Sequence, residues 1–256
     1  MTGRSRRCCG AVLAVLGILA CNEVGTNPSA PVAIQLEAPA SPSVILGDTL
    51  RDSLGAAAPL RVTVFNYKND SIPNVPVTFL AIDSTGSVSV DPLLGIVVGH
   101  ALAQVLVVAT AGSLQSIPDT IVVVDTPSVM INADSLQDTI DYSFAGGLRD
   151  TTVLLRVRLV HLTDSVPIPR YIVRYSFLHP PALDNGDSTN VQLVNPSGAA
   201  TLVDTTDATG TTKLGLRVTP FTHAFTDSVV VEARAATRPG FPPLAPIRYV
   251  LQVNIH

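Results

Sequence analysis

The feature that most limits what this chain can fold into is a period of two in its apolar residues. In "LRVTV", Leu60, Val62 and Val64 alternate with Arg61 and Thr63, and in "VPVTFLA" Val75, Val77, Phe79 and Ala81 share one parity. The pattern returns later. Leu155, Val157 and Leu159 alternate with Arg156 and Arg158, then Tyr171, Val173, Tyr175 and Phe177 with Arg170, Arg174 and Ser176. Side chains of a strand point alternately to its two faces, so each run buries one face and wets the other. Turn signals such as "YKNDSIPN", "DSTGS", "DNGDSTN" and "TDATGT" separate the runs. Beyond the N-terminal segment no stretch has a helical period, and 20 prolines would interrupt helices throughout. Short strands without helices predict an all-β chain of antiparallel sandwiches.

Three blocks recur in the same order. "DTLRDSL" at 48–54 answers "DSLQDTI" at 134–140, "LRVTVFNYKNDSIPNVPVTF" at 60–79 answers "LRVRLVHLTDSVPIPRYIVRYSF" at 155–177, and "PDTIVVV" at 118–124 answers "TDSVVVEA" at 226–233. The recurrence points to duplication of one unit of about 95 to 125 residues. Domains are therefore expected at 31–126 and 127–256, with Asp125, Thr126 and Pro127 as a short linker. Each is expected to fold around its own core with few contacts across that linker.

The N-terminal segment has a different character. Arg4, Arg6 and Arg7 precede an apolar run ending at Ala20, after which "NEVGTNPSAP" is polar and turn-prone. This is the three-part layout of a signal peptide, expected over residues 1–20. The run is about 13 residues long, against roughly 20 for a helix that crosses the hydrocarbon core. Ile18, Leu19, Ala20 and Cys21 resemble the bacterial lipobox, whose cysteine receives diacylglycerol and becomes the new N-terminus. The alternative is ordinary secretion nearby with Cys21 incidental. Lipidation accounts better for the rest of the chain: Cys8 and Cys9 lie in the removed segment, so Cys21 would be the sole cysteine of the mature protein. Residues 21–30 would then be a flexible tether to the membrane. Asn22 after the lipidated cysteine implies, through the same resemblance, export to the outer membrane.

The central block resembles the bacterial Ig-like domain of the invasin and intimin type, in which a strand, a polar turn and a Pro-Val pair lead into a strand ending in Phe. "DTTDATGTTKLGLRV" at 204–218 resembles that family's later signature, a Thr-Asp-x-x-Gly turn before an alternating strand. Asp207 can bond its own backbone there, and Gly210 can take positive φ. The first unit lacks the Asp-x-x-Gly turn in "DPLLGIVVGHALAQVLVV", which leaves its Ig-like subgroup open. The resemblance implies two tandem immunoglobulin-like antiparallel β-sandwich domains after the signal peptide.

Catalytic and metal signatures are weak. "GDTL" at 47–50 and "ADSL" at 133–136 resemble the start of Gly-Asp-Ser-Leu hydrolases, but Thr49 and Ala133 depart from that pattern and no α/β arrangement follows. The histidines at 100, 161, 179, 223 and 256 have no metal-ligand spacing. "LDNGDSTN" at 183–190 gathers Asp184 and Asp187 in a loop that is either a weak calcium candidate or a plain solvated turn. No cofactor is expected.

Of the 16 basic residues three lie in the leader, leaving 13 against 20 acidic ones and a mature charge near −7. That balance argues against a nucleic-acid partner. The expected function is a non-enzymatic one: a lipid-anchored cell-envelope protein whose Ig-like domains act as a spacer or an adhesion module, with a protein or glycan ligand at its loops. The alternative is an envelope hydrolase or a carbohydrate-binding protein built on the sandwich. The proline-dense "RAATRPGFPPLAPIR" at 234–248 is either such a binding loop or a segment that blocks edge pairing.

Overall fold

The computed structural model describes residues 27–142, 151–161, 163–179, 191–219 and 225–255. Among them there is no helix. The first half contains β1 (Ala33–Leu36), β2 (Ser43–Ile45), β3 (Val62–Phe65), β4 (Thr78–Ile82), β5 (Val88–Val90), β6 (Val97–Gly99), β7 (Gln104–Ala111), β8 (Leu114–Gln115) and β9 (Asp119–Val124). The second contains β10 (Val129–Asn132), β11 (Gln137–Tyr142), β12 (Thr151–Leu154), β13 (Val157–Val160), β14 (Ile172–His179), β15 (Val191–Val194), β16 (Val203–Thr205), β17 (Gly215–Val218), β18 (Phe225–Arg234) and β19 (Ile247–Ile255).

The strands form two successive β-sandwiches. In the first, one sheet runs β2-β9-β7-β4, with β8 turned back onto β7, and faces the β1-β3 and β5-β6 pairs. In the second, the sheet β11-β19-β18-β14-β16 faces β12-β17-β15 and β10-β13. Among the described residues no strand pairing joins one half to the other. Period-two alternation fills each interior. Val105, Val107 and Ala109 of β7 meet Ile121 and Val123 of β9 and Phe79 of β4, while Val229, Val231 and Ala233 of β18 meet Tyr249, Leu251 and Val253 of β19 and Leu216 of β17. Each of these residues is buried.

Among the described residues the strand ladders are antiparallel except for one in each sandwich, where β2 lies parallel to β9 and β11 parallel to β19, and the first of these continues into a single parallel bridge between Leu46 and Gly99. The cause is a change of sheet. β1 and β10 pair antiparallel with β3 and β13; the chain then passes to the opposite sheet without reversing and meets the last strand running the same way.

Backbone hydrogen bonds define how the halves correspond. Ile72 N–H donates to Val64 O and Ile168 N–H to Leu159 O. Two residues on, Asn74 and Arg170 are both left-handed, at φ 60° and 56°. Ile72-Pro73-Asn74 and Ile168-Pro169-Arg170 are thus the same corner, which aligns Phe79 with Tyr175 rather than with Phe177. Phe79 N–H bonding Pro92 O and Tyr175 N–H bonding Leu202 O agree with that register. The central block is a true correspondence, but the outer two are not. Residues 48–50 follow β2 and run along β6, whereas residues 134–136 precede β11, the strand that corresponds to β2. Likewise β9 is the last strand of its sandwich, whereas β18 is the penultimate strand of its own. Half-buried strands demand parity and little else, so short Val-rich segments resemble one another in unlike places.

Candidate functional site at the joint between the sandwiches

Cys21, Asp184 and Asp187 lie outside the described residues. Asp207 and Gly210 lie in the turn leading from β16 to β17. Asp207 Oδ1 accepts from Thr209 N–H at 2.9 Å, Thr211 N–H at 3.2 Å and Thr209 Oγ1 at 2.6 Å. The Thr209 hydroxyl, then these N–H groups and Lys213, hold the Asp207 carboxyl well below the usual carboxylate range against a smaller opposing effect of burial. Gly210 sits at φ 74°, donates to Asp207 O at 2.9 Å and accepts from Leu159 N–H at 2.9 Å. The first sandwich has a turn of the same chemistry one residue longer. Asp91 Oδ1 accepts from Leu93 and Leu94 N–H at 2.9 and 2.7 Å, and Gly95 takes φ 67°.

The two Asp-Ser/Thr-Leu segments build ion pairs. Asp48 binds Arg51 through both oxygens, at 2.8 Å to Nε and 2.9 Å to Nη2, and Asp134 binds Arg156 at 2.7 Å. Burial pushes the Asp48 carboxyl up, but the Arg51 fork and the Thr49 N–H together outweigh it and hold the group below its ordinary value. Hydroxyl–imidazole contacts among the described residues include Ser89 Oγ to His100 Nε2 and Thr163 Oγ1 to His161 Nδ1, each at 2.8 Å. Asp164 reaches the same Nδ1 of His161, at 3.2 Å, rather than the opposite ring nitrogen, so no nucleophile–base–orienter order is assembled at His161. Among the described residues no group of three or more His, Cys, Asp or Glu side chains could hold a metal, and no helix is long and apolar enough to cross a membrane.

The two sandwiches also pack on one another at a joint. Ile45 of β2 and Val124 of β9 belong to the same apolar cluster as Met130, Ile168, Tyr171 and Ala235 of the second sandwich, with Val122 packed against it. This overturns the expectation of few contacts across the linker. The reason is parity: Val44 and Val123 point into the first core, so their neighbours Ile45 and Val124 point out of it and are buried by the second. The run of adjacent apolar residues in "SVIL" and "IVVV" is the sequence signal for a strand end buried on both faces.

Polar contacts close the joint. Tyr171 Oη donates to Ala236 O, and burial raises its phenol well above the ordinary value. Arg238 Nη1 reaches across to Leu46 O at 3.1 Å, with its guanidinium 5.1 Å above the Phe241 ring. The proline-dense loop is therefore the β18-β19 connection laid against the first sandwich. Between Thr49, Arg51, Tyr171 and Thr237 the residual gap is only about 20 Å³, enough for about one water. On another side the joint opens into a groove of about 630 Å³, lined among others by Gly47, His100, Asp125, Pro127, Arg238 and Phe241.

No family model matches the chain, and no curated protein does. Solved structures similar to it include domains 4 and 5 of the S-layer protein SbsC, at 13% identity over 88% of this chain and 98% of that one, with a TM-score of 0.31. The Yersinia pseudotuberculosis adhesin InvE matches at 14% identity over 87% of this chain and 58% of that one, TM-score 0.31. The D0-D1 domain of Intimin matches at 14% identity over 88% and 98%, TM-score 0.26.

Proposed function

We propose that this chain is a lipid-anchored envelope protein in which two Ig-like sandwiches, divided at residues 125–128, form a stiff spacer. The observation that carries the reading is the joint, where Ile45 and Val124 are buried with the second sandwich's core and Arg238 is bonded to Leu46 O. A linker of four residues between β9 and β10 combined with interdomain packing of this kind resists the hinge motion that is the default for tandem domains. Lipidation at Cys21 supplies the anchor; its support is the "ILAC" sequence at the end of the only leader-like segment. Such a molecule holds whatever is attached to its far end at a fixed distance and orientation from the membrane.

Two measurements test the two parts. Spin labels on the exposed positions Lys68 and Thr226 are expected to give one narrow distance distribution, and Ile45→Ser combined with Arg238→Ala is expected to broaden it; a broad distribution in the parent chain removes the spacer. Metabolic labelling with a palmitate analogue is expected to mark the parent and not Cys21→Ser, and equal label on both removes the anchor.

A further inference from the structure

The outer face of the sheet β12-β17-β15 carries a second concavity, of about 580 Å³, which shares no lining residue with the gap or the groove at the joint. Its floor is Gly215. Leu154, Gly215 and Val194 stand side by side across the three strands, and Thr152, Arg217 and Gln192 form the next row on the same face. A Cβ at Gly215 would lie 2.8 Å from Thr152 Cγ2 and 3.1 Å from Val153 O, so glycine leaves the hollow open between two aliphatic walls. Arg217 closes one end and Arg156 and Lys213 the other, and no acidic side chain is among the described residues lining it. Arg156 is held by Asp134 at 2.7 Å and Lys213 by Asp207 at 3.3 Å, both acids lying behind the rim. Among the described residues Arg217 meets no carboxylate. Its Nη1 donates to Gly198 O at 3.2 Å and its Nη2 to Gln192 Oε1 at 2.6 Å, while its Nε is buried without a partner among the described residues.

A buried guanidinium N–H left unsatisfied is costly, and the Nε–Nη2 edge of arginine is the fork that a carboxylate fills with two parallel bonds. Gln192 occupies half of that fork with a neutral oxygen. We propose that this hollow binds a carboxylate-bearing sugar residue of the uronate class, whose carboxylate displaces the Gln192 amide from Arg217 while its ring lies over Gly215 between Leu154 and Val194. A peptide is disfavoured by the position of the hollow. β17 is the central strand and its backbone is paired on both sides, with β12 and with β15, so the main-chain ladder by which extended peptides dock on a sheet edge is absent there. A site of this volume suits one to a few sugar rings.

The test is calorimetric titration of the full chain with glucuronate oligosaccharides, with neutral glucose oligosaccharides of equal length and with an oligoglutamate peptide. Saturable binding is expected for the uronate alone. Arg217→Gln is expected to weaken it about 10- to 100-fold, the worth of a hydrogen bond to a charged group. Gln192→Glu places a carboxylate in the fork from within the chain and is expected to abolish binding without lowering the melting temperature, which separates loss of the site from loss of the fold. Absence of saturable uronate binding, or binding unchanged in both variants, overturns the proposal. Equal or tighter binding of oligoglutamate overturns the sugar assignment and makes the site one for acidic peptides.

Discussion

Gly210 is confined twice over, by a left-handed backbone at φ 74° and by Leu159 O only 2.5 Å from where a Cβ would stand. Gly210→Val is therefore expected to destabilise the protein by about 1–3 kcal/mol, since a β-branched residue tolerates neither condition; chemical denaturation checks it. Glu232 is a different kind of special residue, a nearly buried acid on the outer face of the second sandwich. Arg234 and Arg248 bind its two oxygens, and chiefly the first of them holds its carboxyl below the ordinary value. A depressed folded pKa means that the unfolded chain takes up the proton first as pH falls. The contribution is whole above the ordinary glutamate range and is lost as pH drops through the folded value. Glu232→Gln is expected to lower the melting temperature at neutral pH and to flatten its fall below about pH 4.5.

At the scale of elements, hydroxyls of buried tyrosines fasten one sheet to the other. Tyr175 Oη donates to Leu155 O at 2.9 Å and lies 2.7 Å from Thr212 Oγ1, and Tyr249 Oη donates to Arg156 O at 2.6 Å. β14 and β19 are thereby tied to the segment that opens β13 across the core. Tyr175→Phe keeps the ring and takes the donor from Leu155 O, while Thr212 Oγ1 still accepts from Val157 N–H at 2.9 Å, with an expected cost of about 1–2 kcal/mol; the double variant with Tyr249→Phe should be non-additive, because both act on the same two-residue segment. Hydrogen exchange gives a parallel expectation. The nine-residue β18-β19 ladder should be the slowest to exchange, and the β8 pairing of two residues among the fastest.

For the whole molecule the consequence of the joint is coupled unfolding. Residues 127–256 expressed alone would expose the surface that Ile45 and Val124 cover, so they are expected to melt at a lower temperature than the same residues in the full chain. Ile45→Ala should act in the same direction, costing about 2–4 kcal/mol of second-sandwich stability. Differential scanning calorimetry checks both; an isolated second half as stable as the parent would reduce the joint to a surface contact. Repetition specifies how often a fold occurs without specifying what its copies bury between them.

The sequence by itself determined the all-β class, because alternation of Leu155, Val157 and Leu159 against arginines admits one face of burial and no helix, and it determined the central correspondence of the two halves through the recurring blocks at 60–79 and 155–177. Tertiary structure decided the rest. Whether 118–124 is the last strand or the one before it depends on partners far along the chain, and parity is blind to partners. The burial of Ile45 and Val124 on a second surface, the Gln192 oxygen in the Arg217 fork and the opening above Gly215 all arise from residues brought together across strands, and no local pattern encodes a contact whose two sides are distant in sequence.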